Sequence, residues 1–171
     1  MTSEMGTLMW FDADEQNRLF TETIDRLTPW LRQAKFRGDI DINCIINEEG
    51  VFPLEVTARF GYPALHGSCA LTKSPFGEFL KSVADGMESA VEYHRAFGLV
   101  VQVAVPPFPY LAINEKYNPE GLKIYFTQPV SEEEMAHIHF NDVCLRGNDG
   151  NRQYAIAARQ GYVLCVTRLR L

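Results

Sequence analysis

Residues 38–59 constrain this chain more than any other stretch. Ile40, Ile42 and Cys44 alternate with Asp39, Asp41 and Asn43; Asn47-Glu48-Glu49-Gly50 follows, and then Val51-Phe52-Pro53-Leu54-Glu55-Val56-Thr57. Period-two alternation on both sides of a short polar, glycine-containing segment predicts a β-hairpin. Side chains alternate across a strand, so Asp41 and Asn43 share one face, as do Glu55, Thr57 and Arg59 on the returning strand. A turn centred near Glu48 and Glu49 sets these two polar faces side by side.

Two carboxylates with an amide and an alcohol beside them make a set of oxygen ligands suited to Mg²⁺, which commonly shares its ligands with nucleotide phosphates. The planar guanidinium of Arg59 suits a phosphate or a carboxylate. The same pattern also describes an ordinary solvated sheet face closed by cross-strand pairs, and on spacing alone that plainer reading stands ahead.

Around the hairpin the periodicity changes. Phe20, Ile24, Leu27, Leu31 and Ala34 recur at spacings of four and three after Asp12-Ala13-Asp14, which predicts an amphipathic helix with a kink or break near Thr28, forced by Pro29. A second helix is expected from Ser74-Pro75, with Ser74 as cap, burying Phe76, Phe79, Leu80, Val83 and Met87 and ending near Gly86 or running on to Tyr93. Residues 99–105, 122–126, 137–144, 154–158 and 162–167 read as short strands between turn residues. Ser131-Glu132-Glu133-Glu134 has capping-box spacing and predicts one short helix among them.

The chain has 171 residues, 46% of them hydrophobic, enough for one ordinary domain or two small ones. Its 16 basic and 22 acidic side chains leave a net charge of −6, which argues against a nucleic-acid partner. No run approaches a membrane span and no secretory pattern opens the sequence, so the reading is a soluble, cytoplasmic chain. Cys44, Cys69, Cys144 and Cys165 form no Cys-x-x-Cys pair and read as reduced, mostly buried thiols. His137 and His139 share a strand face without a nearby third zinc ligand, which favours a polar strand face over a metal site. Residues 105–110, rich in proline, read as a rigid turn rather than a polyproline ligand. No Ser-His-Asp or Cys-His signature supports a hydrolase.

The hairpin segments Gly38-Asp39-Ile40-Asp41-Ile42-Asn43 and Pro53-Leu54-Glu55-Val56-Thr57-Ala58-Arg59-Phe60-Gly61-Tyr62-Pro63 resemble the last hairpin of the ATP-grasp ligases, above all that of the phosphoribosylamine–glycine ligases. In that family the returning strand reads Glu-x-Asn-x-Arg-Phe-Gly-Asp-Pro, its Glu and Asn binding the Mg²⁺ that bridges the ATP phosphates. By position, the resemblance implies Glu55 as metal ligand, Thr57 in the place of the Asn, and Arg59 as the catalytic cation beside the phosphates. Asp41 is similar to the carboxylate other ATP-grasp enzymes supply from the preceding strand. The implied cofactors are Mg²⁺ (or Mn²⁺), with ATP as co-substrate. Thr57 is a weaker Mg²⁺ ligand than an amide oxygen, leaving room for Asn43 or water. Tyr62 replaces an Asp, and Ala64-Leu65-His66 replaces an acidic continuation.

Both ends join the resemblance. Thr2-Ser3-Glu4-Met5-Gly6-Thr7 is similar to the family's Asn-Thr-Gly-Gly-Met-Gly loop near the substrates, with Thr2, Met5 and Gly6 matching, and these three are the implied cofactor-binding residues. Gly121-Leu122-Lys123 and Gly161-Tyr162-Val163-Leu164-Cys165-Val166-Thr167 resemble the family's small C-terminal domain. The expectation is therefore an α+β chain in three parts. Residues 1–73 are the C-terminal portion of an ATP-grasp domain, a helix plus an antiparallel hairpin; 74–97 are a linking helix; and 98–171 are a small β-rich C-terminal domain. The implied reaction joins glycine to phosphoribosylamine at the expense of ATP. Its partners are those small molecules and a missing N-terminal part of the same enzyme, without which the chain is expected to be inactive. Two further readings stay open: a non-catalytic binding or assembly module derived from such a C-terminus, and a ligase with another amine acceptor.

Overall fold

The computed structural model describes residues 5–87, 91–109, 116 and 118–170. Its elements run β1 (Gly6–Met9), α1 (Arg18–Glu22), α2 (Ile24–Gln33), β2 (Asp41–Ile46), β3 (Val51–Thr57), α3 (Ala64–Leu71), α4 (Phe76–Asp85) and β4 (Phe97–Ala104). Then follow α5 (Glu132–Met135), β5 (Ile138–Phe140), β6 (Val143–Arg146), β7 (Gln153–Ile156) and β8 (Tyr162–Arg170). Helices and antiparallel sheets make this an α+β fold: a four-stranded sheet in the order β1-β4-β8-β5 and two hairpins, β2-β3 and β6-β7. Among the described residues no helix is long and apolar enough to cross a membrane.

The first helical segment breaks at Thr23, not near Thr28. Thr23 leaves helical geometry (φ −126°, ψ −87°) and its hydroxyl donates back to the Leu19 carbonyl at 2.5 Å. Pro29 sits inside α2, where the carbonyl it leaves without a donor belongs to Asp25, on the exposed side of the helix and within reach of water. Phe20, Ile24, Leu27 and Leu31 lie half-buried, as the spacing requires. α4 begins one residue later than expected, with Pro75 as cap, because the Ser74 hydroxyl accepts from the Glu92 amide (3.0 Å). Gly86, in left-handed conformation, ends it; Leu80 and Met87 stay exposed.

Farther on, the expected 137–144 strand is two strands. Asn141 and Asp142 form a bend, with Asp142 at φ 27°, that turns the chain from β5, paired with β8, to β6, paired with β7. Residues 122–126 contribute a single bridge, Lys123 to Ala155. α5 carries its capping box, the Ser131 hydroxyl accepting from the Glu134 amide while Glu134 accepts from the Ser131 amide (2.8 Å). Of the cysteines only Cys165 is buried, and Cys69 is exposed. The turn after β4 is described through Pro109; Tyr110 lies outside the described residues.

α3 lies on one face of the four-stranded sheet, and the contact is reciprocal. Val100 is wholly buried where Gly67 of α3 leaves space, and Leu71 fills the space left by Gly98. Residues four apart on a helix and two apart on a strand each repeat on one face, so these pairs mesh as knob and gap. A second cluster, Ile156, Val163 and Leu164 with Val105, Ile124, Ile138 and Phe140 around it, forms the core under the C-terminal strands.

His66 of α3 stacks on His139 of β5, with ring centroids 4.3 Å apart, and His139 Nε2 lies 3.0 Å from the Thr167 hydroxyl. Burial holds both imidazoles below their ordinary value, and for His139 the neighbouring His66 and His137 add to it. The folded chain therefore holds these rings neutral to lower pH than the unfolded chain, which protonates them below about pH 6.5. The unfolded state thus binds more protons as acid is added, and stability falls from about pH 6.5 downward. Urea midpoints are expected to drop between pH 7.5 and 5.5, and less steeply for His66→Phe. Equal slopes for the two proteins would remove the pair as the cause.

Candidate functional site

The hairpin register places Asp41 opposite Thr57 and Asn43 opposite Glu55. All four side chains therefore leave the same face in two adjacent rows, with opposed Cβ atoms about 5 Å apart. The pattern breaks between Asn43 and Cys44, where Leu54 is the extra residue of a bulge and Pro53 faces Cys44. A bulge accommodates a strand proline, which has no donor for the ladder, and here it ends the regular pairing just beyond Glu55. The opposite face carries Ile42 and Val56, which meet Glu22, Thr23, Arg26 and Leu27 around a cavity of about 260 Å³. The apolar face thus looks toward α1 and α2, and the oxygen-bearing face looks away.

Local contacts hold the turn. The Asn47 side-chain oxygen accepts from the amides of Glu49 (2.9 Å) and Gly50 (3.1 Å). Arg18 donates to the Asn47 carbonyl (3.1 Å) while pairing with Glu22 at 2.7 Å, and Glu22 accepts from the Val51 amide (3.2 Å). α1 therefore clamps the hairpin through one ion pair.

Thr57 carries the most informative atom. Its hydroxyl oxygen is buried and, among the described residues, is the one such side-chain atom with no hydrogen-bond partner. Asp41 Oδ2 lies so close to Gly61 that a Cβ there would stand 2.9 Å from it, so the glycine of the Arg-Phe-Gly segment makes room for the carboxylate. Glu55 and Asn43 are exposed. Arg59, also exposed, donates Nη1 to the Phe60 carbonyl at 2.9 Å, and no carboxylate among the described residues engages it.

The donor set fits a hard divalent cation: two carboxylates, an amide oxygen and a hydroxyl that lacks a partner. It falls short of a self-sufficient cage, since no group of three or more His, Cys, Asp or Glu among the described residues gathers as a metal site. One or two carboxylates completed by phosphate oxygens is the usual way protein holds Mg²⁺ beside a nucleotide.

The other sequence-derived residues lie elsewhere. Gly6 opens β1 of the four-stranded sheet, opposite Val101, and Met5 just before it accepts through its carbonyl from the Gln102 amide (2.9 Å). Thr2 lies outside the described residues. Tyr62 is tied inward, its hydroxyl 3.3 Å from Gln102 Oε1 and 3.7 Å from Cys165 Sγ, and burial with the Cys165 contact pushes its pKa up. Gln102 completes the junction by donating to the Val103 and Leu164 carbonyls.

Sequence reasoning passed over Asp39. It lies half-buried just before β2, and burial, with the Asp41 charge added, raises its pKa. Its alternation with Asp41 was a signal that a third carboxylate stood on the hairpin's approach.

No protein-family model and no curated protein matches the sequence. Among solved structures, the chain is similar to the crystal structure of a phosphoribosylamine–glycine ligase from Thermotoga maritima, with a TM-score of 0.63 and 19% identity over 97% of this chain. The likeness is one of fold. The chain spans 39% of the length of that solved chain, and what the two share is an α+β arrangement of helices and antiparallel sheets.

Proposed function

We propose that this chain supplies the metal-holding hairpin of an ATP-dependent carboxylate–amine ligase, most specifically a phosphoribosylamine–glycine ligase forming glycinamide ribonucleotide from ATP, glycine and phosphoribosylamine. The observation that carries the reading is the partnerless, buried Thr57 hydroxyl on the same hairpin face as Asp41 and Glu55. Asp41 and Glu55 supply the negative charge, with Thr57 and Asn43 as neutral oxygens beside them. A bound Mg²⁺ or Mn²⁺ offsets phosphate charge and polarises the transferring phosphoryl group. Arg59, which no carboxylate among the described residues engages, presents its fork to a phosphoryl or acyl-phosphate oxygen. The rigid hairpin, clamped by the Arg18–Glu22 pair, holds these groups in fixed register, and catalysis of this kind is chiefly positioning and charge neutralisation. Turnover then requires the nucleotide-clamping part of the enzyme as well as this chain.

The test is metal binding by the whole chain, read by Mn²⁺ relaxation of water protons. Saturable binding that weakens about tenfold or more in Glu55→Gln is expected, since even outer-shell partners of a metal are worth that much. Binding unchanged by Glu55→Gln would sink the proposal. One observation favours the second reading, a non-catalytic module: Tyr62, at the place of an acidic residue in the ligase pattern, serves as a packing junction with Gln102 and Cys165. Unchanged metal binding would favour that module.

A further inference from the structure

Asp39 borders a separate, partly open cavity of about 190 Å³, lined by residues of β1, α3, α4 and the segment just before β2. Half of the lining is aromatic, with Trp10, Phe60, Phe76, Phe79 and Tyr93 around it and Ser68 beside them. The rings brace one another: Phe76 lies 5.8 Å from Phe60 and 5.7 Å from Phe79, and Tyr93 stacks on Phe11 at 3.6 Å. Among the described residues Asp39 is the one charged group of this wall, and no cation among them pairs with it. A half-buried carboxylate without a counter-charge among the described residues pays part of its desolvation unrepaid, and aromatic faces attract cations through their quadrupoles.

The geometry points to a binding pocket for a small organic ammonium ion, seated between the Asp39 carboxylate and the surrounding rings. The volume suits a small alkylammonium, being below the roughly 300–1,000 Å³ of pockets for drug-sized ligands. Ser68 offers a hydroxyl acceptor to a primary ammonium, while a quaternary ion relies on the rings and the charge alone. The inference uses neither Glu55, Thr57 nor Arg59, so it does not depend on the proposed metal site.

The experiment titrates the full-length chain with n-butylammonium chloride, tetramethylammonium chloride and the uncharged 1-butanol at constant ionic strength, followed by ¹H–¹⁵N NMR. Saturable shifts at the Asp39, Ser68 and Thr72 amides are expected with both ammonium ions, and binding about tenfold or more weaker with butanol, as loss of a charged hydrogen-bond partner entails. Asp39→Asn should weaken ammonium binding by a similar factor, and Glu55→Gln should leave it unchanged. The inference is overturned by equal affinity for butanol and butylammonium, which describes a merely apolar cavity, or by absence of saturable shifts at those amides. Ammonium binding that survives Asp39→Asn, or that disappears with Glu55→Gln, overturns it too. The butanol comparison on the unaltered chain stands even where Asp39→Asn fails to fold.

Discussion

Gly67→Val is expected to cost about 3 kcal/mol of folding stability, read as a lowered urea midpoint with an unchanged slope. A Cβ at this position would stand 2.3 Å from Met9 Sδ and 2.9 Å from Val100 Cγ2. Met9 ends a flexible side chain and can swing aside, but Val100 is wholly buried and cannot. α3 would have to lift from the sheet, taking Leu71 out of its place against Gly98 and straining the Tyr62 junction. Gly77, near the start of α4, is the control: a Cβ there meets nothing within 4 Å, so Gly77→Ala should stabilise by about 0.5 kcal/mol through a less mobile unfolded chain. Two helical glycines thus respond with opposite sign. A Gly67→Val protein as stable as the parent would mean that α3 does not rest on Val100.

Thr57→Val is expected to stabilise the metal-free chain by about 1–2 kcal/mol while weakening its hold on Mn²⁺. The Thr57 hydroxyl is buried without a partner among the described residues, and such a group costs roughly 1–3 kcal/mol relative to an apolar group of the same shape. Valine keeps the β-branched shape that suits the strand and removes the unsatisfied oxygen. The same oxygen is the neutral ligand nearest in register to Asp41, so its loss should show in metal affinity. Sites that exchange stability for chemistry behave in this way. Chemical denaturation and Mn²⁺ titration on one preparation decide the matter: a destabilised Thr57→Val would show that the hydroxyl is satisfied in the folded chain and would take away the observation on which the proposed function rests.

Much of the fold was legible because it is locally encoded. The β2-β3 hairpin, its turn and its polar face follow from alternation within about twenty residues. The capping box of α5 and the half-buried stripe from Phe20 to Leu31 follow from spacings of three and four. α3 was not legible: its short, small-residue sequence has no side-chain cap and a weak amphipathic pattern, and it is helical because it packs on the sheet. β1 was missed for a related reason, since its four residues become a strand through pairing with β4 some ninety positions away.

By itself the sequence determined the hairpin, its register-dependent clustering of Asp41, Asn43, Glu55 and Thr57, and the amphipathic helices, because each is written in the short-range period of polar and apolar residues. Only the tertiary structure decided that Thr57 is buried without a partner, that Asp39 faces an aromatic cavity, and that Tyr62 closes onto Gln102 and Cys165. Those properties arise where segments tens of residues apart are brought together, and desolvation depends on what the rest of the chain places around a group, which no local pattern records.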